Sequence, residues 1–287
     1  MLKKLTNRVY YMPNDERTDR PVLGLVIGDR YSMVIDSGNS EKHANEFLEE
    51  VNKMDIPPLK YLFITHWHWD HVFGIAFMNL TTICHEKTKE KIVEMKTLDW
   101  RDEALDKRVE KGEEIEFCSS MIKLELPTPL RDKLIIGDVD ITFKDGITID
   151  LGGVSCIIEN IKGDHSEDSS IAYIPEEKVM FLGDAIYEDL YSGEWSYSTE
   201  KLFPMINKIK DKETKYYLPS HGPVESKEET LKLFDELITM GKFTGDEVLF
   251  YKVREKYIKD FKEEPDEERA YYINSFINGN KKKHFLK

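Results

Sequence analysis

The chain has 287 residues, with 41 Lys and Arg against 55 Asp and Glu, a formal net charge of −14 at pH 7. At 40% hydrophobic and 11% aromatic residues it has the makeup of a globular protein with a sizeable core, not of a disordered segment. The acidic balance weighs against nucleic acid as a partner, because binding a polyanion needs Lys and Arg to displace its counterions.

The stretch Met1–Tyr11 has lysines but no apolar h-region, so a secretory signal is not expected. No run approaches the roughly 18 apolar residues of a bilayer span, and no membrane partner is expected. Val22–Ile27 and Tyr31–Ile35 are β-branched runs parted by Gly28, Asp29 and Arg30, which predicts a hairpin. Helical spacing follows over Glu41–Met54 and stops at Pro57–Pro58, and Tyr61–Thr65 is a short apolar strand. From Glu86 to about Lys111 the pattern is one highly charged helix with a narrow apolar stripe. It fits a solvated helix and a cap over a site equally; a dimer arm is also open, and with it a homodimer.

Residues 122–183 predict strands at Ile122–Leu126, Val139–Phe143, Ile147–Leu151, Val154–Ile161, Ser170–Ile174 and Val179–Leu182. Helical spacing returns at 199–210, 226–240 and 246–260, with a strand at Tyr216–Leu218 and a basic tail, Lys281–Lys287, expected to fray. A main domain over 1–240, with a helical insertion at 86–118, and a C-terminal helical extension over 241–287 are expected. Cys84, Cys118 and Cys156 form no Cys-x-x-Cys pair and predict buried free thiols of a reducing cytosol.

Histidine placement carries the functional signal. After the strand ending near Ile64 comes Thr65-His66-Trp67-His68-Trp69-Asp70-His71, four potential metal ligands within six residues. Burying histidine without a partner is costly, so this is not a packing pattern. Alternation sends His66 and His68 one way, while Asp70 and His71 turn to another, so one loop can serve two neighbouring sites. His165, in Gly163-Asp164-His165-Ser166-Glu167-Asp168-Ser169, also follows an apolar strand. So do His221, in Ser220-His221-Gly222, and Asp184, which ends Phe181-Leu182-Gly183-Asp184. Each is weak singly; together they are hard to ascribe to coincidence. His43, His85 and His284 match nothing and are expected to be structural or surface residues.

With Ile35-Asp36-Ser37-Gly38, His-x-His-x-Asp-His over 66–71, His165 ahead of Ser-x-Asp-Ser, Gly183-Asp184 and Ser220-His221-Gly222, the chain resembles the metallo-β-lactamase superfamily from Asp36 to His221. The resemblance implies an α/β fold, a four-layer αββα sandwich with a helical insertion and C-terminal helices. It implies two metal sites, His66, His68 and His165 for one and Asp70, His71 and His221 for the other, bridged by Asp184. Asp36 would orient ligands from behind. Two divalent metal ions are the implied cofactors; nitrogen and oxygen donors suit zinc, with iron or manganese open because no thiolate selects the metal. Asp164, between Gly163 and His165, departs from the pattern and either reshapes that loop or adds an outer charge. Asp184 stands where one branch of true β-lactamases has a cysteine.

The implied function is a metallohydrolase in which a hydroxide between the metals attacks an ester-like bond of a small molecule, with Asp70 accepting its proton. Tyr187, three residues after Asp184, is similar in place to the tyrosine that lactonase members use as a donor to substrate. Tyr191, Trp195 and Tyr197 are expected to pack a long loop, with an apolar pocket as the alternative. A thioester is the other acyl substrate, although the basic motif of glyoxalase II-like members is missing. β-Lactamase or phosphodiesterase activity, or a non-hydrolytic di-iron redox or metal-sensing role, are the alternatives. For the redox role, His68 stands where a glutamate is usual and no flavin domain follows.

Overall fold

A computed structural model describes residues 1–285. Among the described residues the strands form two sheets. In the first, β1 (Lys3–Lys4), β2 (Val9–Met12), β3 (Leu23–Ile27), β4 (Ser32–Ile35), β5 (Leu59–Phe63), β6 (Thr81–His85) and β7 (Ile141–Phe143) lie side by side in chain order. Pairing is antiparallel as far as β4 and parallel beyond it. The second runs β13 (Glu225–Ser226), β12 (Tyr216–Pro219), β11 (Val179–Gly183), β10 (Ser170–Ile174), β9 (Ser155–Asn160), β8 (Gly146–Asp150). Of its pairs only β11 and β12 are parallel.

The helices are α1 (Glu41–Val51), α2 (Trp69–Val72), α3 (Ile75–Met78), α4 (Glu86–Met95), α5 (Asp102–Glu110), α6 (Glu116–Glu125), α7 (Thr199–Lys210), α8 (Lys227–Thr244), α9 (Phe250–Phe261) and α10 (Glu267–Phe285). Among the described residues no helix is long and apolar enough to cross a membrane.

Three apolar layers hold these elements together. Val34 and Leu62 pack with Ala44, Phe47, Ile92, Leu105 and Ile122, under α1 and α4–α6. Met33, Ile35 and Phe63 of the first sheet meet Ile158, Ala172 and Phe181 of the second. Met180 and Leu182, alternating with Phe181, turn to Ile206, Phe234, Tyr257 and Phe276 under α7–α10. Central strands covered on both faces read as continuous apolar runs, as β4 and β11 do. The order is helix, sheet, sheet, helix. Close approach of the sheets explains Gly24, where a Cβ would stand 2.4 Å from the Phe181 ring.

Several expectations need correction. Ile122–Leu126 is not a strand: α6 runs to Glu125, burying Cys118, Ser119 and Ile122 on one face and leaving Leu124 exposed. Five residues of Ile-Lys-Leu-Glu-Leu fit either period, and packing chose the helical one. The charged helix over 86–111 is two helices. It breaks because Trp100 turns into the core, donating Nε1–H to Met95 O at 3.1 Å, with the Arg108 guanidinium 4.8 Å from its ring centroid. Strands β1, β2 and β6 and helix α10 were not anticipated. The basic tail is largely the end of α10, where Lys282 Nζ donates to Ser196 Oγ at 2.7 Å and Lys283 pairs with Glu200; Leu286 and Lys287 lie outside the described residues. The expected domain boundary at 240 falls inside α8.

Candidate metal centre

Five strand ends meet at one edge of the sandwich. Asp36 follows β4, Thr65–His71 follows β5, His165 follows β9, Asp184 follows β11 and His221 follows β12. The edge is stitched across the sheets by Ser170 N–H to Thr65 O at 2.9 Å and Val22 N–H to Ser220 O at 2.8 Å. Gly183 has φ 57°, and a Cβ there would stand 2.8 Å from that of Thr65, so only glycine lets β11 turn Asp184 inward.

The donors fall into two groups. His66, His68, His165 and Asp184 form one, and Asp70, His71, Asp184 and His221 the other, the donor atoms of each lying within 4.8 Å of one another. Asp184 is common to both. Its Oδ2 lies 3.4 Å from Nε2 of His165 and of His221, 3.6 Å from that of His71 and 3.7 Å from that of His66. Ligands about 2.1 Å from a tetrahedral ion stand roughly 3.4 Å apart, so the spacing suits a cation between them.

Partners behind the donors set their direction. Asp36 accepts from Thr65 N–H at 2.8 Å and from His71 Nδ1 at 2.8 Å. His71 Nε2 is then left facing the other donors without a hydrogen-bond partner, as is His66 Nε2. Asp36 is thus an orienting residue outside both groups. His165 Nδ1 donates to the Glu188 carbonyl at 3.1 Å and so turns Nε2 to within 2.8 Å of His68 Nδ1.

Charge makes the same point. Burial, and then the imidazoles around them, push His66 and His68 well below the usual histidine range, leaving neutral donors. Burial also opposes charge on His71 and His221, but Asp70 and Asp184 outweigh it and hold both well above that range. Asp36, Asp70 and Asp184 are all buried. Buried carboxylates need compensating positive charge, and divalent cations supply it where protons otherwise must. The residues present therefore fit two divalent metals.

Beside the groups lies a cavity of about 190 Å³. Tyr187 is in its wall, its ring centroid 6.1 Å from that of His165 and 6.3 Å from that of His221. Phe117 and Cys118 of α6 line it too, so the segment after β6 walls the cavity through its last helix. Of the loop aromatics, Tyr191 and Trp195 line the cavity, against the expectation of loop packing. Tyr197 follows that expectation: it is buried and donates to Ile186 O at 2.8 Å.

Both carboxylate oxygens of Asp164 are engaged where α7 begins, accepting from Ser198 N–H at 2.9 Å and Ser198 Oγ at 2.7 Å, which ties the His165 loop to α7. His43 is buried, His85 caps α4 and His284 is exposed near the end of α10. Two site residues had no sequence signal. Asp19, at φ 56° after a 3₁₀ turn over Glu16–Thr18, puts Oδ1 3.3 Å from His221 Nδ1; Glu188 acts through its backbone carbonyl.

Known proteins bear on this geometry. The family model described as the metallo-beta-lactamase superfamily matches residues 17–221. A Caenorhabditis elegans protein described as beta-lactamase-like protein 2 homolog is 28% identical over 176 residues, covering 59% of this chain and 44% of that protein, so the match spans under half of that relative. Among solved structures, a metallo-beta-lactamase from Pontibacter korlensis has TM-score 0.54 at 19% identity, covering 82% of this chain and 98% of that one. The DIM-1 metallo-beta-lactamase has TM-score 0.57 at 16% identity, covering 82% and 96%. Identities this low speak for the αββα fold alone; the family match, over most of the length, establishes that the chain belongs to the metallo-β-lactamase superfamily.

Proposed function

We propose that this protein is a dinuclear metallohydrolase, zinc its metal, that cleaves an ester-type bond, a lactone or thioester, in a small molecule. The observation that carries the reading is the pair of donor groups sharing Asp184, with Tyr187 in the wall of the cavity beside them. When bound, the metals supply Lewis acidity and a water made nucleophilic at neutral pH.

The chain's own residues do the rest. His66, His68 and His165 would hold one ion and Asp70, His71 and His221 the other, with Asp184 between. Burial opposes ionisation of Asp70, but His71 and His221 keep it a carboxylate. Its Oδ2 lies 3.1 Å from His221 Nε2, where it can take up and pass on a proton. Burial, and then the charge of Asp184, push the Tyr187 phenol upward, so at neutral pH it is protonated and donates a hydrogen bond to a substrate oxygen.

Metal analysis of protein purified without added metal tests the first half: about two equivalents of zinc, lost together in His68→Ala, are expected. A folded wild type that is active without metal refutes it. Lactone, thioester, phosphodiester and β-lactam substrates, assayed side by side, test the second. Lactone or thioester cleavage is expected to lead, with kcat in Tyr187→Phe lower by roughly a hundredfold. Unchanged cleavage in Tyr187→Phe removes the tyrosine from the mechanism.

A further inference from the structure

We infer that the cavity selects a neutral substrate with a short apolar acyl chain, and that Phe117 and Trp195 are the residues that select it; this rests on the hydrolase reading above. Both side chains are large and apolar, yet 48% and 47% exposed, and both stand in the wall of the cavity. A single exposed apolar side chain is ordinary, but two in the wall of a concave site with convergent polar groups mark a binding surface. Leu190 and Tyr191 continue it. Tyr191 donates its hydroxyl to Glu114 Oε1 at 3.0 Å, and its ring lies 5.2 Å from that of His68. With the hydroxyl engaged, the ring carbons are what the cavity receives.

Charge in the wall narrows the substrate further. Among the described residues lining the cavity there is no Lys or Arg. A carboxylate or phosphate on the acyl chain would find no cation apart from the metal groups and would lose its water without a partner. A chain of methylenes meets Phe117, Leu190, Tyr191 and Trp195 and sheds water. At about 190 Å³ the room is for a short chain, with the carbonyl end at Tyr187 and the donor groups.

Aryl esters with acetyl, butanoyl, hexanoyl, dodecanoyl and hemisuccinyl groups test this on the metal-loaded protein. kcat/KM is expected to rise roughly fourfold per added methylene up to hexanoyl, as burial of each CH₂ predicts, and then to level off. The hemisuccinyl ester is expected at least about tenfold below butanoyl. Phe117→Ala and Trp195→Ala should each lose about tenfold on hexanoyl and less than about threefold on acetyl. A flat series, an equal loss on acetyl, or a hemisuccinyl ester as good as butanoyl overturns the inference. Calorimetric titration with acetate, hexanoate and succinate gives a readout that needs no turnover. If no ester is cleaved but hexanoate binds tighter than acetate, and the two variants lose that preference, the pocket stands and the hydrolase reading falls. If esters are cleaved without chain preference, the reverse holds; neither cleavage nor discrimination overturns both.

Discussion

His43 and His66 are equally buried imidazoles with different surroundings. His66 has other imidazoles and Asp184 beside it, whereas His43 sits on α1 against Gly38 with its Nδ1 unpartnered. Burial, and then the charge of Arg20, push His43 down to about 3. In the unfolded chain it takes a proton near 6.5, so stability is lost as pH falls from there toward 3. Between pH 7.5 and 5 this costs about 2 kcal/mol, and urea midpoints should fall more for wild type than for His43→Gln over that interval. Equal slopes would mean that His43 is protonated in the fold. At this scale the donors after β5 were legible because four of them crowd six positions of a strand end. Asp19 was not, since a single carboxylate in a loop carries no pattern.

Helix α6 shows how an element is fixed by contacts distant in sequence. Its terminal Glu125 accepts from Arg20 Nη2 at 2.6 Å and Ser40 Oγ at 2.6 Å, bolting α6 to the start of α1 and to the loop of Asp19. Arg20 also holds Glu46 at 2.6 Å. Glu125→Ala is therefore expected to destabilise by about 2–3 kcal/mol, less than a pair with no other partner, as measured by urea unfolding. A loss below about 0.5 kcal/mol would place the bond in the class of solvent-screened surface pairs. The apolar alternation of 122–126 suggested a strand, because a short segment cannot reveal which neighbours will cover it. The helix at 199–210 was read with its observed bounds, having three turns over which its period could declare itself.

At the scale of the whole molecule, the middle apolar layer fixes the relation of the sheets and so of the two sets of strand ends. Phe181 lies in it, against Gly24. Phe181→Ala is expected to cost about 3–5 kcal/mol in unfolding free energy, since the sheets cannot close over the gap. A cost under about 1 kcal/mol would show that they relax together. What the sequence determined alone is the donor inventory, its place at strand ends and, through resemblance, the layered fold, because these are written in local spacing. That Asp19 stands behind His221, that a carbonyl at 188 aims His165, and that α6 and the 190–195 loop wall the cavity was decided by tertiary structure. Those residues are brought together by packing two sheets face to face, a long-range event that leaves no period or motif in the chain.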